Sequence, residues 1–111
     1  MRERERDVEA YLRRKVEMAG GAAFKFVAPG NNGVPDRIVI LPGGRVYFVE
    51  MKTRGGTLSG IQRLQQERIR KRGCEVRTIW TRAQVDEFMQ ETEGGRADGV
   101  QAVRVSDKGH R

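Results

Sequence analysis

Residues 33–52 read GVPDRIVILPGGRVYFVEMK, and this stretch decides how the rest of the chain is read. Two β-rich runs, Arg37–Leu41 (RIVIL) and Arg45–Met51 (RVYFVEM), flank Pro42-Gly43-Gly44. A short turn containing Gly between apolar runs predicts a β-hairpin. Alternation along the second strand puts Val46, Phe48, Glu50 and Lys52 on one face, and Tyr47, Val49 and Met51 on the other. Glu50 and Lys52 therefore point the same way at the end of a strand whose other residues read as buried. Charge at such a place is costly unless it is paired or bound to a metal. Pairing centred on Gly43 sets Asp36, which opens the partner strand, level with Glu50.

An Asp and a Glu on adjacent strand ends can share Mg²⁺ or Mn²⁺, hard cations that take oxygen ligands and keep several waters. A Lys two residues beyond the Glu can orient or deprotonate the attacking water, or offset charge on a transferring phosphoryl group. The competing account is a surface Glu50–Lys52 ion pair with Asp36 as a turn residue. An isolated Glu-x-Lys would favour that account. The joint pattern of Pro35-Asp36, strand, turn, strand and Glu50-Met51-Lys52 favours catalysis.

Upstream, apolar residues Val8, Tyr11, Leu12, Val16 and Ala19 recur at three- and four-residue spacing and predict a helix over Glu5–Ala19, ended by Gly20-Gly21. Ala22–Ala28 reads as a short strand with Phe24 and Phe26 on one face, followed by the loop Pro29-Gly30-Asn31-Asn32-Gly33. Downstream, Thr53–Ser59 reads as a loop and Gly60–Arg72 as a helix with Ile61, Leu64 and Ile69 inward. A strand is expected over Glu75–Trp80, then a helix over Arg82–Glu91. The order α-β-β-β-α-β-α predicts one α/β domain over 1–91, a mixed central sheet flanked by helices. Residues 92–111 change composition and read as a mobile tail or accessory arm around one apolar patch, Val100–Val105.

The chain has 111 residues, 22 Lys plus Arg against 15 Asp plus Glu, and a net charge of +7. One Cys and one His exclude a disulfide framework and a Cys/His zinc cluster. No apolar run approaches the ~18–20 residues that span a membrane, and the charged N-terminus is unlike a signal peptide, so a cytoplasmic location is expected. The positive charge points to a polyanionic partner. With aromatics at only 6%, a single-strand binder built on base stacking is disfavoured, leaving DNA contacted through its backbone.

Gly33-Val34-Pro35-Asp36, fourteen residues from Asp36 to Glu50, and Glu50-Met51-Lys52 resemble the PD-(D/E)xK nuclease superfamily. Within it, residues 5–91 resemble the stand-alone VRR-NUC (virus-type replication-repair nuclease) family of phages and bacteria. An acidic residue in the first helix, Lys25-Phe26 before a Gly-rich loop, and Leu58-Ser59-Gly60-Ile61-Gln62 opening the second helix agree with it. Gly60 stands where family members often carry Pro, which bears on helix initiation only. The resemblance implies a restriction-endonuclease-like core and Mg²⁺- or Mn²⁺-dependent phosphodiester hydrolysis. It also implies similarity to archaeal Holliday-junction resolvases, and a homodimer acting on structured DNA.

On that reading Asp36, Glu50 and Glu9 are the metal ligands, and Lys52 serves the nucleophile. Glu9 lies at the edge of the first helix's apolar stripe; its alternative role is an i,i+4 partner of Arg13, worth only ~0.3–0.5 kcal/mol. Glu5 is the second choice for the same position. Gln62 is either an active-site residue or half of a capping box with Ser59, two roles that compete for one amide. Lys25, Arg63, Arg68, Arg70 and Lys71 are the expected DNA-backbone contacts, against the alternative of ordinary exposed charges. Cys74 reads as a small buried residue, Trp80 as core or dimer surface, and His110 as no ligand. A dimer is expected to cover an exposed sheet edge or apolar patch near the Trp80 strand, with the tail beside it. The function expected is a metal-dependent DNA endonuclease cutting branched DNA. Its rivals are a nicking or flap nuclease without junction preference and a non-catalytic DNA-binding module.

Overall fold

In a computed structural model, which describes residues 3–93, the hairpin of residues 37–51 forms the centre of a four-stranded sheet. Strands β1 (Ala22–Lys25), β2 (Arg37–Leu41), β3 (Arg45–Met51) and β4 (Glu75–Ile79) lie side by side in chain order. The first two pairings are antiparallel, and β3 pairs with β4 in parallel. Parallel neighbours need a crossover, supplied here by helix α2 (Gly60–Lys71). Helix α1 (Glu5–Met18) precedes the sheet, and a helix over 82–93, α3, follows it. The element order and the mixed sheet are those of the expected α/β core.

The hairpin turn works because Gly43 and Gly44 both take positive φ, 90° and 75°, which residues with a Cβ resist. The resulting register opposes Arg37 with Val49 and Ile38 with Phe48, so one step further Asp36 falls level with Glu50. Helix α1 stops in a Schellman arrangement: the Gly20 N–H donates to Glu17 and the Gly21 N–H to Val16.

One face of the sheet is closed. Val8, Leu12 and Val16 of α1, with Val85 and Phe88 of α3, bury Val39, Leu41, Val49, Met51 and Ile79. The opposite face carries Phe24, Ile38, Ile40, Val46 and Phe48, and α2 covers only its β4 side. Phe24, Ile40 and Val46 are 56%, 38% and 43% exposed, and Ile61 and Leu64 of α2 are also exposed.

Those last two residues correct the expected inward face of α2. Its buried residues are Gln65 and Gln66, with Ile69 half-buried. Each Gln amide has a partner: Gln65 Nε2 donates to the Asn32 carbonyl at 3.0 Å and Gln66 Nε2 to Thr78 Oγ1 at 2.9 Å. Burial without such bonds would be costly. Other corrections are local. Strand β1 ends at Lys25, although the Phe26 N–H still reaches the Asp36 carbonyl. Strand β4 ends at Ile79 because the Trp80 N–H turns to the Gln84 side chain. Cys74 is exposed. Trp80 is half-buried and not part of the core; its indole Nε1–H donates to the Gly56 carbonyl and pins the loop after β3. Thr92 and Glu93, expected to open the tail, continue α3. Residues 94–111, with the Val100–Val105 patch and His110, lie outside the described residues. Among the described residues no helix is long and apolar enough to cross a membrane.

The loop before β2 is seated on α2. Gly33 has φ +85°, and a Cβ there would lie 2.9 Å from the Ile61 carbonyl group. Gly30 has a similar φ of +80° but open space around it. Gly33→Ala is therefore expected to cost about 1–3 kcal/mol, and more than Gly30→Ala, when the two are compared by urea unfolding.

Candidate active site

Three strand ends and the start of α2 converge on Glu50. Its neighbours Val49 and Met51 are buried in the closed face, so strand alternation turns Glu50 to the opposite side, where it is only 6% exposed. Asp36 arrives from the adjacent strand behind Pro35, which is itself fully buried. The Asp36 Oδ1 accepts from the Met51 N–H at 3.1 Å, a bond that ties the carboxylate to the far strand. Lys52 follows, its backbone N–H still bonded to the Ile79 carbonyl of β4 at 3.1 Å.

Gln62 connects these groups. Its Oε1 accepts from Lys52 Nζ at 3.2 Å and from the Ser59 N–H at 2.9 Å. Its Nε2 donates to Glu50 Oε2 at 3.3 Å, and its backbone N–H donates to Ser59 Oγ at 3.2 Å. The capping box and the contact with the acidic pair thus coexist, because a carbonyl oxygen has two lone pairs and the amide nitrogen is left for Glu50.

Burial pushes the Glu50 carboxyl up to about 7, from an ordinary 4.5, and the charge of Asp36 adds to the rise. Lys52 opposes it; Glu5 raises it further, and Arg37 lowers it. Burial and a neighbouring carboxylate both disfavour the ionised form of Glu50, a condition that a divalent cation would relieve. Among the described residues no three His, Cys, Asp or Glu side chains are gathered as a ready-made cage. Asp36 and Glu50 could still hold Mg²⁺ or Mn²⁺, since Mg²⁺ is commonly bound through one or two carboxylates and keeps its waters.

The first-helix acids separate. Glu9 is committed to guanidinium groups on both oxygens, Oε1 to Arg13 at 3.2 Å and Oε2 to Arg37 at 3.3 Å. Glu5 is the α1 acid whose charge acts on Glu50, and it lines a shallow cleft with Glu3, Arg4, Thr53 and Arg54. Arg37 itself escaped the sequence reading, which saw only the first residue of a strand. Its signal was a charged residue opening an otherwise apolar run. Gln65 and Gln66 also escaped, though with Gln62 and Ile69 they keep the spacing of a buried helical stripe.

Lys25 is exposed on β1, opposite Arg37 in register. Helical spacing puts Arg63 and Arg70 in one row along α2, and Arg68 and Lys71 in another beside Ile61 and Leu64. The Arg70 guanidinium donates to the Val76 carbonyl, so it also fastens α2 to β4. The expected basic surface is thus two rows and not one.

No protein-family model matches the chain. Over 73 residues it is 42% identical to "Putative nuclease p44" of Acyrthosiphon pisum secondary endosymbiont phage 1, covering 66% of this chain and 78% of that protein. A solved structure described as a VRR_NUC domain superposes with a TM-score of 0.71 at 34% identity, covering 78% of this chain and 94% of the other. The chain belongs to the VRR-NUC family. Its restriction-endonuclease-like core is therefore the VRR-NUC fold, with Asp36 and Glu50 at adjoining strand ends.

The raised Glu50 carboxyl gives a pH signature in metal-free VRR-NUC protein. A folded-state value above the unfolded one means that the proton favours the folded state. Its stabilising contribution is full below about 4.5 and is lost as pH rises through about 7. Glu50→Gln removes the titration but keeps an acceptor for Gln62. With EDTA present, the stability of Glu50→Gln relative to wild type should climb by roughly 1–3 kcal/mol between pH 5 and pH 8. Thermal unfolding across that range measures it; a constant difference would contradict the assigned environment.

Proposed function

We propose that this VRR-NUC chain is a metal-dependent DNA endonuclease, acting on branched or structured DNA such as four-way junctions. The observation that carries the reading is the buried Glu50 carboxylate, opposed by Asp36 and tied through the Gln62 amide to Lys52. A structural Glu50–Lys52 ion pair gives no reason to set a second carboxylate, Asp36, against Glu50. Asp36 and Glu50 would hold Mg²⁺ or Mn²⁺, with Glu5 the first-helix acid favoured by its action on Glu50. When bound, the ion supplies charge neutralisation at the scissile phosphate and acidifies the attacking water.

The chain's own groups do the rest. The Lys52 ammonium has three N–H donors and gives one to Gln62. The others can bind a non-bridging phosphate oxygen or orient the water in line with the leaving oxygen. Water attacks phosphorus, one P–O ester bond breaks, and the leaving oxygen takes up a proton. Gln62 keeps Lys52 and Glu50 at a fixed separation through this change. Lys25, Arg63, Arg68 and Lys71 would contact backbone phosphates without reading sequence. The preference for branched DNA is supported by the likeness of the sequence motifs to junction resolvases. Nicking or flap cleavage without that preference is the second reading.

On a labelled panel of linear, nicked, flap and four-way-junction DNA with Mg²⁺ or Mn²⁺, Asp36→Asn and Glu50→Gln should each lose cleavage at least 100-fold. Both should still bind DNA with steep salt dependence, about −0.9 in log–log slope per neutralised phosphate. Wild-type cleavage by either variant would remove the site assignment. Cleavage of every substrate alike would favour the second reading.

A homodimer belongs to the same proposal, supported by the open apolar sheet face of Phe24, Ile40 and Val46 beside Ile61 and Leu64. That face, and not the Trp80 strand, is the surface a second copy would cover. Light scattering at micromolar concentration should give twice the chain mass, and Ile40→Glu should return it to the monomer mass. A wild-type monomer at that concentration rules this part out.

A further inference from the structure

The chain spends a nearly buried arginine beside Asp36, in a role that phosphate binding does not explain. Arg37 opens β2 on the sheet face closed by α1, and its side chain is only 16% exposed. Its Nε donates to Glu9 Oε2 at 3.3 Å, and one terminal nitrogen donates to the Asp36 carbonyl at 2.8 Å. The same nitrogen lies 3.5 Å from Asp36 Oδ2. The Met51 N–H holds Oδ1 of that carboxylate. Asp36 is thus gripped from two sides, by the backbone of β3 and by the guanidinium of its own neighbour. Glu9 anchors the guanidinium and is itself braced by Arg13 on the next turn of α1.

We propose that Arg37 is a positioning residue that sets the Asp36 carboxylate, and that Glu9 acts on the site as the anchor of Arg37. The inference rests on the reading of Asp36 as a ligand of the catalytic cation. A planar guanidinium reaches Glu9 and the Asp36 backbone at once, with a fixed angle between its N–H groups. A lysine at this position supplies the charge without that geometry. Misplacing a reacting group by an ångström can cost ~10²-fold in rate, so the fork matters more than the charge. Loss of either partner leaves the other charge poorly compensated where water has little access. The paired removal cures that defect in folding but not the misplacement of Asp36.

The test uses the full chain with Mn²⁺ and a labelled four-way junction. Three quantities are read for each variant: cleavage rate at saturating Mn²⁺, Mn²⁺ dissociation constant by calorimetry, and unfolding midpoint. Arg37→Lys, Arg37→Met and Glu9→Ala should each slow cleavage at least tenfold, with the Mn²⁺ constant moving less than threefold. Glu9→Ala combined with Arg37→Met should regain the stability that the single variants lose. Its rate should be no lower than that of Arg37→Met alone, as residues acting in series require.

Wild-type rate in Arg37→Lys would overturn the proposal, because charge alone would then suffice. It would equally fall if Glu9→Ala weakened Mn²⁺ binding more than tenfold and its rate effect multiplied with that of Arg37→Met, since Glu9 would then be a ligand. Asp36→Asn separates this inference from the reading beneath it. Full activity there would remove both, whereas an inactive Asp36→Asn beside a fully active Arg37→Lys removes the positioning role alone.

Discussion

The bond from the Met51 N–H to Asp36 Oδ1, 3.1 Å long, is where the hairpin becomes a site. It requires Asp36 to lie level with Glu50, a level that the turn at Gly43 and Gly44 allows and that the packing of β3 holds. A slip of one residue would turn every side chain of β3 to the other face. Val49 and Met51 would then leave the core and Glu50 would enter it. Packing of α1 against Val39, Val49 and Met51 therefore holds the register, and the register sets Asp36 against Glu50. The apolar and acidic halves of the motif specify one another.

Helix α2 is joined to that arrangement through polar groups. Gln62 starts the helix through the capping box with Ser59, and the same side chain sets Lys52 against Glu50. Gln65 and Gln66 then dock the helix on the Asn32 carbonyl and on Thr78. These bonds are directional where hydrophobic packing is not, so the orientation of α2 about its axis is set by partners at the site end of the sheet. Ile61 and Leu64 are left facing outward beside the open apolar strands. The side chains that a soluble helix would normally bury have been given to another surface.

That exchange shows where sequence reading succeeds and where it stops. Period-two alternation and the Gly turn made the hairpin legible, including the level of Asp36 with Glu50. The α1 stripe of Val8, Leu12 and Val16 was equally plain, since hydrophobicity and burial coincide there. In α2 they do not coincide: the buried stripe is glutamine, and a reading that follows apolar residues turns the helix by most of a right angle. Glu5 and Glu9, four apart on one helix face, have the same pattern and differ only in tertiary partners. Arg37 was invisible for a similar reason, because its role lies in two contacts from separate elements. Cys74 follows Gly73 at the exposed start of β4, where a residue type with a strong bias to burial misleads.

The energetics of the acidic pair follow from where it sits. Glu50 is flanked in sequence by two residues with essentially no exposed surface, Val49 at 0% and Met51 at 1%, both packed under α1. The strand cannot shift to let Glu50 escape into water without exposing them, at a cost of about 1.5–3 kcal/mol for each apolar side chain. Burial of Glu50, and after it repulsion from Asp36, is therefore held in place and raises the proton affinity of Glu50 instead of moving it. A cation stands on each side of the sheet: Lys52, bonded to the neutral Gln62 amide, on the open side, and Arg37, bonded to the Glu9 carboxylate of α1, on the closed side. If Asp36 and Glu50 hold a divalent cation as proposed, strands locked by the core would preorganise the site for it and for a phosphodiester, because the reorganisation that water would otherwise supply has been met during folding.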